Sequence, residues 1–246
     1  MKFLYTTILL LFTVFCGYAN TKQAESLFAD GKYNEALVIY QGVLDNGEES
    51  AALYYNIANC YYKLGENTKA ILFYERSLLL NPSDKVVKYN LQMAERGIVD
   101  KLEVLPEIFF VRWYKSFVSY LSVDEWAYLS VGFFFCFLVL LTIYLYSHIL
   151  FLRKSAFVGG IFAFVFTIIA IVFSVKQNKI ITDREYGIIV TPSVTIKGSP
   201  DQSGTELFLI HEGLKVKIID ELGLWYNIQL RDGNEGWISK VDLEII

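Results

Sequence analysis

Three long stretches of this chain carry no Asp, Glu, Lys or Arg: Phe3 to Tyr18, Trp126 to Leu152 and Ser155 to Val175. The last reaches about 31 Å as a helix, against a hydrocarbon core of ~30 Å. Trp126 to Leu152 is longer, and must tilt or run into the interface. A pair of buried core helices is the competing reading, which length and absence of charge both oppose. The expected architecture is therefore a multidomain membrane protein, with transmembrane helices at 126–152 and 155–175. The first stretch follows Lys2 and ends in Gly17-Tyr18-Ala19, with small residues closing it before Asn20. That is the layout of a signal peptide over residues 1–19. Cys16-Gly17 suggests a lipidation site, but Phe15 before it is too bulky for the usual motif.

Charge sets the orientation. Arg153 and Lys154 separate the two long stretches with no acidic neighbour, which places that turn in the cytoplasm. Both flanking regions then face outward, in the periplasm of an inner-membrane protein. Residues 20–125 carry 11 basic and 15 acidic groups, and residues 176–246 carry 8 and 11. Two acidic regions argue against nucleic acid as a partner. The three cysteines are Cys16, Cys60 and Cys136, with no metal-site spacing among them. No Ser/His/Asp set or phosphate loop is present, so neither catalysis nor a cofactor is expected.

The run YYNIANCYYKLGENTKAILFYERSLLLNP, Tyr54 to Pro82, has a sibling 34 residues upstream. Gly65 falls on Gly31, Ala58 on Ala24, Ala70 on Ala36, Tyr74 on Tyr40 and Ser77 on Val43. The period and spacing resemble the tetratricopeptide repeat, a pair of antiparallel helices. Small Ala58 and Ala70 suit close helix approach, and Gly65 suits a left-handed helix end. Cys60 reads as packing. Two repeats, about 17–50 and 51–84, with a capping helix at 84–105 make a helical domain over 20–105. Its groove-facing candidates are Tyr55, Asn59, Tyr62 and Lys63, a surface for a peptide or partner helix. An exposed polar face with incidental tyrosines is the alternative.

Residues 106–125 repeat Phe109, Phe110, Trp113, Phe117 and Leu121 at helical spacing, with Arg112 and Lys115 between. This fits an amphipathic helix in the membrane interface, or a packing face against the repeats. Trp113, Trp126 and Tyr128 suit the headgroup belt. From Tyr186 the period changes to two, with turns at Glu212-Gly213 and Asp232-Gly233-Asn234. Short strands over 186–246 predict a small all-β barrel. The pieces Val194 to Gly204, Trp225-Tyr226 and Gly236-Trp237-Ile238 resemble a bacterial SH3 domain. Strand alternation sets Trp225 and Trp237 opposite the core side, as a candidate ligand face or a face packed on the 198–205 loop. His211 reads as a strand-end surface residue.

The order of signal peptide, helical repeats, two spans and SH3-like tail resembles the BatE-type family of the Bacteroides aerotolerance (Bat) operons. The resemblance implies an interaction protein without catalytic residues, working in stress or oxygen tolerance. It also implies partners among von Willebrand A-domain membrane proteins, in an operon that also encodes a MoxR-type ATPase. Membrane lipid is a further expected partner, and peptidoglycan an alternative ligand of the SH3-like module.

Overall fold

A computed structural model describes residues 21–102 and 108–246. The expected signal peptide and the end of the capping segment lie outside them. The chain forms two compact units. One holds the helical repeats together with Arg184–Ile246, and the other holds Pro106–Asp183 with Leu80–Ser83.

In the first unit, residues 21–29 (α1) and Tyr33–Asp45 (α2) form one helical pair. Ala51–Leu64 (α3) and Asn67–Leu80 (α4) form the next. The 34-residue period is visible in the backbone. Lys32 N–H donates to Leu27 O and Glu66 N–H donates to Tyr61 O, at 2.9 and 3.0 Å. Gly31 and Gly65 both adopt positive φ, +78° and +81°. Ala24, Ala36, Ala58 and Ala70 are all fully buried, so each pair closes on small residues. Tyr40 and Tyr74 fill the space beside them. Burial pushes the Tyr40 hydroxyl up to about 12, with Cys60 and Glu25 adding to the shift. Cys60 is buried too, and loss of water lifts its thiol to about 11. It packs, and at neutral pH it stays a thiol.

The capping helix is shorter than the sequence suggests. Asp84 caps it, its carboxylate accepting from Val86 N–H at 2.8 Å and Val87 N–H at 3.1 Å. The helix (α5) runs over Lys85–Glu95 and then stops. Residues 96–102 leave the helical path because Ile98, Asp100 and Leu102 are drawn onto the β-sheet.

That sheet has seven antiparallel strands: Tyr186–Ile189 (β1), Ser193–Lys197 (β2), Glu206–His211 (β3), Lys215–Leu222 (β4), Trp225–Gln229 (β5), Glu235–Ser239 (β6) and Leu243–Ile245 (β7). Their order is β3-β2-β6-β5-β4-β1-β7. The expected closed barrel is not formed. The sheet is open, because no ladder joins β3 to β7. All strands nevertheless feed one core that includes Ile189, Ile196, Ile210, Val216, Ile228, Ile238 and Leu243. Alternation decides which residues enter it: along β5, Tyr226 and Ile228 point in while Trp225, Asn227 and Gln229 do not.

In the second unit, Phe109–Val118 (α6) precedes Val123–Tyr146 (α7) and Leu150–Asp183 (α8). Both α7 and α8 are long and apolar enough to cross a membrane. A capping box of Ser122 and Glu125 starts α7. Ala156, Gly160, Ala163, Thr167 and Ala170 form a buried seam of small residues on α8, and Gly160 lies against Leu140 and Phe137 of α7. Arg153 and Lys154 sit in the first turns of α8, not in the connecting turn, which is Ser147 to Ile149. Ser147 Oγ accepts from Ile149 N–H there at 3.2 Å, so α8 starts before the charges. Trp126 is buried, its indole N–H donating to Val118 O at 3.0 Å, and so it does not join the expected aromatic belt.

A Cβ at Gly65 would meet nothing within 4 Å, so Gly65→Ala isolates the backbone cost of φ +81°. That cost is about 1 kcal/mol. Amide exchange in α3 and α4 is expected to speed up about fivefold in the variant. Unchanged protection would show that the left-handed turn is not needed.

Candidate functional site

Two surfaces and the joint between them carry what this unit can do. The first surface lies on α3 and α5. Tyr74 donates its hydroxyl to Asn59 Oδ1 at 2.7 Å, and Asn90 Nδ2 donates to the same oxygen and to Tyr55 Oη, both at 3.3 Å. Tyr55 and Asn59 are thereby tied into a network inside the repeats. Burial raises the Tyr74 hydroxyl far above its ordinary range, so it stays a donor. Tyr62 and Lys63, one turn further along α3, are exposed. Exposed Val86 and Tyr89 on α5 lie beside this surface, and sequence reading missed Tyr89. The available signal was the period itself, since Tyr89 falls 34 residues after Tyr55.

The second surface lies on β5 and β6. Asn227 pairs with Trp237, and Trp225 with Ser239. Trp225, Asn227 and Trp237 therefore share the side of the sheet away from the core, with the two indoles diagonal to each other. Both tryptophans are half-buried, and Asn227 Oδ1 is buried with no hydrogen-bond partner.

The joint was not legible at all. Glu75 on α4 is buried, and Lys215 of β4 donates to it at 2.7 Å. Arg76 donates to Ile245 O at 2.7 Å and meets Glu244 at 3.1 Å. Asp100 accepts from the His211 backbone N–H at 2.6 Å, and His211 Nδ1 lies 3.0 Å from its other oxygen. His211 is indeed at a strand end, but it is held by this carboxylate. Arg231 approaches Glu95 at 3.6 Å. Apolar contact accompanies the charges. Gly213 turns at φ +84°, and a Cβ there would lie 3.3 Å from Ile98 and 3.4 Å from Ile71, so a side chain would wedge the turn off the helices. Leu102 packs against the sheet's core.

The edges of the open sheet explain where these bonds fall. His211 lies on β3 and Ile245 on β7, the two terminal strands. Their backbone groups find partners in Asp100 and Arg76, so the repeats cover edges that would otherwise invite pairing with another chain. A cleft of about 420 Å³ remains along the joint, lined in part by Glu66, Thr68, Lys69, His211 and Glu212. Its polar groups largely answer one another: Thr68 donates to Glu212 and Lys69 pairs with Glu66, both at 2.7 Å. No cluster of metal-ligating side chains occurs among the described residues.

Residues 51–84 match the family "Tetratricopeptide repeat", which coincides with the α3–α4 pair. Residues 192–244 match the family "Bacterial SH3 domain", which takes in β2 to the start of β7. These are interaction modules, not catalytic ones. A 77-residue segment, 31% of this chain, is 29% identical to sperm-associated antigen 1 of Rattus norvegicus. That segment spans only 9% of the rat protein.

Lys215→Met leaves the Glu75 carboxylate buried without its cation. The expected cost is about 2 kcal/mol, and Glu75→Leu in the same chain should recover most of it. Thermal melts of the four proteins in a double-mutant cycle measure the coupling. Additive effects would mean that the pair does not hold the joint.

Burial raises the Glu95 carboxyl above its ordinary 4.5, with Arg231 opposing. A raised folded value means that the folded unit binds the proton more tightly. The Glu95 contribution is thus full below 4.5 and is lost as pH rises through the raised value. Melting temperatures of wild type and Glu95→Gln across that range should show the wild type losing ground as pH rises. A constant difference would contradict the assignment.

Proposed function

We propose that this chain is a membrane-anchored interaction scaffold. The observation that carries the reading is the joint. Groups on α4 and the segment after α5 bond to groups on β3, β4 and β7, while α7 and α8 lie between them in sequence. A joint of this kind needs both modules on one side of a membrane. Two crossings, out and back, meet that requirement. The charge of Arg153 and Lys154 favours the cytoplasm for the α7–α8 turn, and hence the periplasm for the repeats and sheet. The α3–α5 surface, with Tyr55, Asn59, Tyr62 and Lys63, is the docking face for a partner peptide or helix.

The resemblance to BatE-type proteins gives the finer version: assembly of a stress or aerotolerance complex with von Willebrand A-domain membrane proteins. A second reading has a specific observation behind it. The shared outer face of Trp225 and Trp237 suits a ligand with flat apolar faces, such as the sugar rings of peptidoglycan.

The topology is tested with single cysteines at exposed Lys32 and Val241, labelled by a membrane-impermeant maleimide in intact cells with permeabilised outer membranes. Both sites should react equally. If one reacts only after lysis of the inner membrane, the scaffold is wrong. For the docking face, Tyr62→Ala with Lys63→Glu should lower the yield of the co-purifying A-domain protein about tenfold. Wild-type yield would move the docking site elsewhere. For the second reading, sedimentation with peptidoglycan should depend on Trp225 and Trp237.

A further inference from the structure

Helix α6 is joined to the rim of the α7–α8 pair by aromatic contacts. Phe117 lies 5.7 Å from Phe173 and 6.0 Å from Trp126, ring to ring. Tyr114 meets Phe173 at 6.1 Å, and Lys176 lies 4.5 Å over the Tyr114 ring. Val118 is buried and accepts the Trp126 indole N–H. These contacts fix the depth of α6. Trp126 opens one charge-free stretch; Phe173 sits two residues before the end of the other, and Lys176 is the first charge after it. At 1.5 Å per residue, α6 is held within about 5 Å of the level where apolar surface gives way to charge.

Its own faces match that level. At 3.6 residues per turn, Tyr114, Phe117 and Val118 make the side docked on α7 and α8. Phe109, Phe110 and Trp113 continue the apolar arc, yet they are 69%, 75% and 63% exposed. The described parts of the chain leave them uncovered. Arg112, Lys115 and Ser116 occupy the remaining arc. Among the described residues no carboxylate pairs with Arg112 or Lys176.

We infer that α6 is a lipid-binding helix, with Phe109, Phe110 and Trp113 sunk among acyl chains and Arg112 and Lys176 receiving the phosphates of anionic lipid headgroups. The occupant is a bilayer and not a protein for two reasons. The arc adjoins Phe117, which meets both spans at Trp126 and Phe173, and the outward side chains of those spans are likewise apolar and exposed. The cations sit at the height of the headgroups, where each Lys or Arg favours an anionic lipid about fivefold. This rests on the reading of α7 and α8 as spans.

The test uses the full chain reconstituted in phosphatidylcholine vesicles. Brominated lipids quench nearby tryptophan, and the emission lost in Trp113→Phe reports Trp113. We expect that emission to be quenched, and brominated phosphatidylglycerol to quench it several-fold more effectively than brominated phosphatidylcholine. Arg112→Gln with Lys176→Gln should abolish the preference while leaving the quenching. An alkaline wash that strips the chain from the vesicles overturns the spans, and α6 with them. A chain that resists the wash but keeps its Trp113 emission in brominated lipid overturns α6 alone, as would burial of Trp113 against a second copy. Equal quenching by the two lipids overturns the headgroup assignment.

Discussion

The joint between the repeats and the sheet is the interaction on which the rest depends. It joins residues more than a hundred positions apart, such as Asp100 with His211 and Glu75 with Lys215. The buried Glu75–Lys215 pair is not the main source of stabilisation. Removing a carboxylate and an ammonium from water costs roughly what their attraction returns. Ile71, Ile98 and Leu102 against the sheet supply the favourable burial. The charges add direction to that contact, since Glu75, Arg76, Glu95 and Asp100 each meet a specific group of the sheet domain.

That contact has a structural consequence for the sheet. A seven-stranded sheet that coils about one core without closing exposes two edges. Arg76 and Asp100 occupy backbone groups on β7 and β3. The SH3-type module is therefore completed by the helices, and the two modules form one compact unit. The α3–α5 surface and the Trp225–Trp237 face are consequently presented by a single body.

Much of the architecture could be read from residue order. Ala58, Ala70, Tyr74 and Gly65 recur 34 positions from their counterparts because one packing problem is solved twice. The alternation along β5 marks Tyr226 and Ile228 as core for the same local reason. The candidate site was less legible. Asn59 reads as a groove residue from spacing alone, and spacing gives no sign that its oxygen also accepts from Tyr74 and Asn90. Glu75 sits beside Arg76 in a run with Ile71, Leu72, Leu78 and Leu79, and nothing nearby in the chain names the partner of either charge. Trp126 suited an aromatic belt by position, and α6 folded over it instead.

Periodicity and charge alone determined the helical pairs, the two apolar rods, the strand alternation and the amphipathic arc of α6. Each of these depends on neighbours within a few residues, so local spacing specifies it. Tertiary structure decided where α5 stops, that the sheet stays open, and that Asp100, Arg76 and Glu75 serve the sheet and not solvent. These outcomes depend on which distant surface arrives to meet an unpaired carboxylate or an uncovered strand edge, and spacing along the chain carries no record of that.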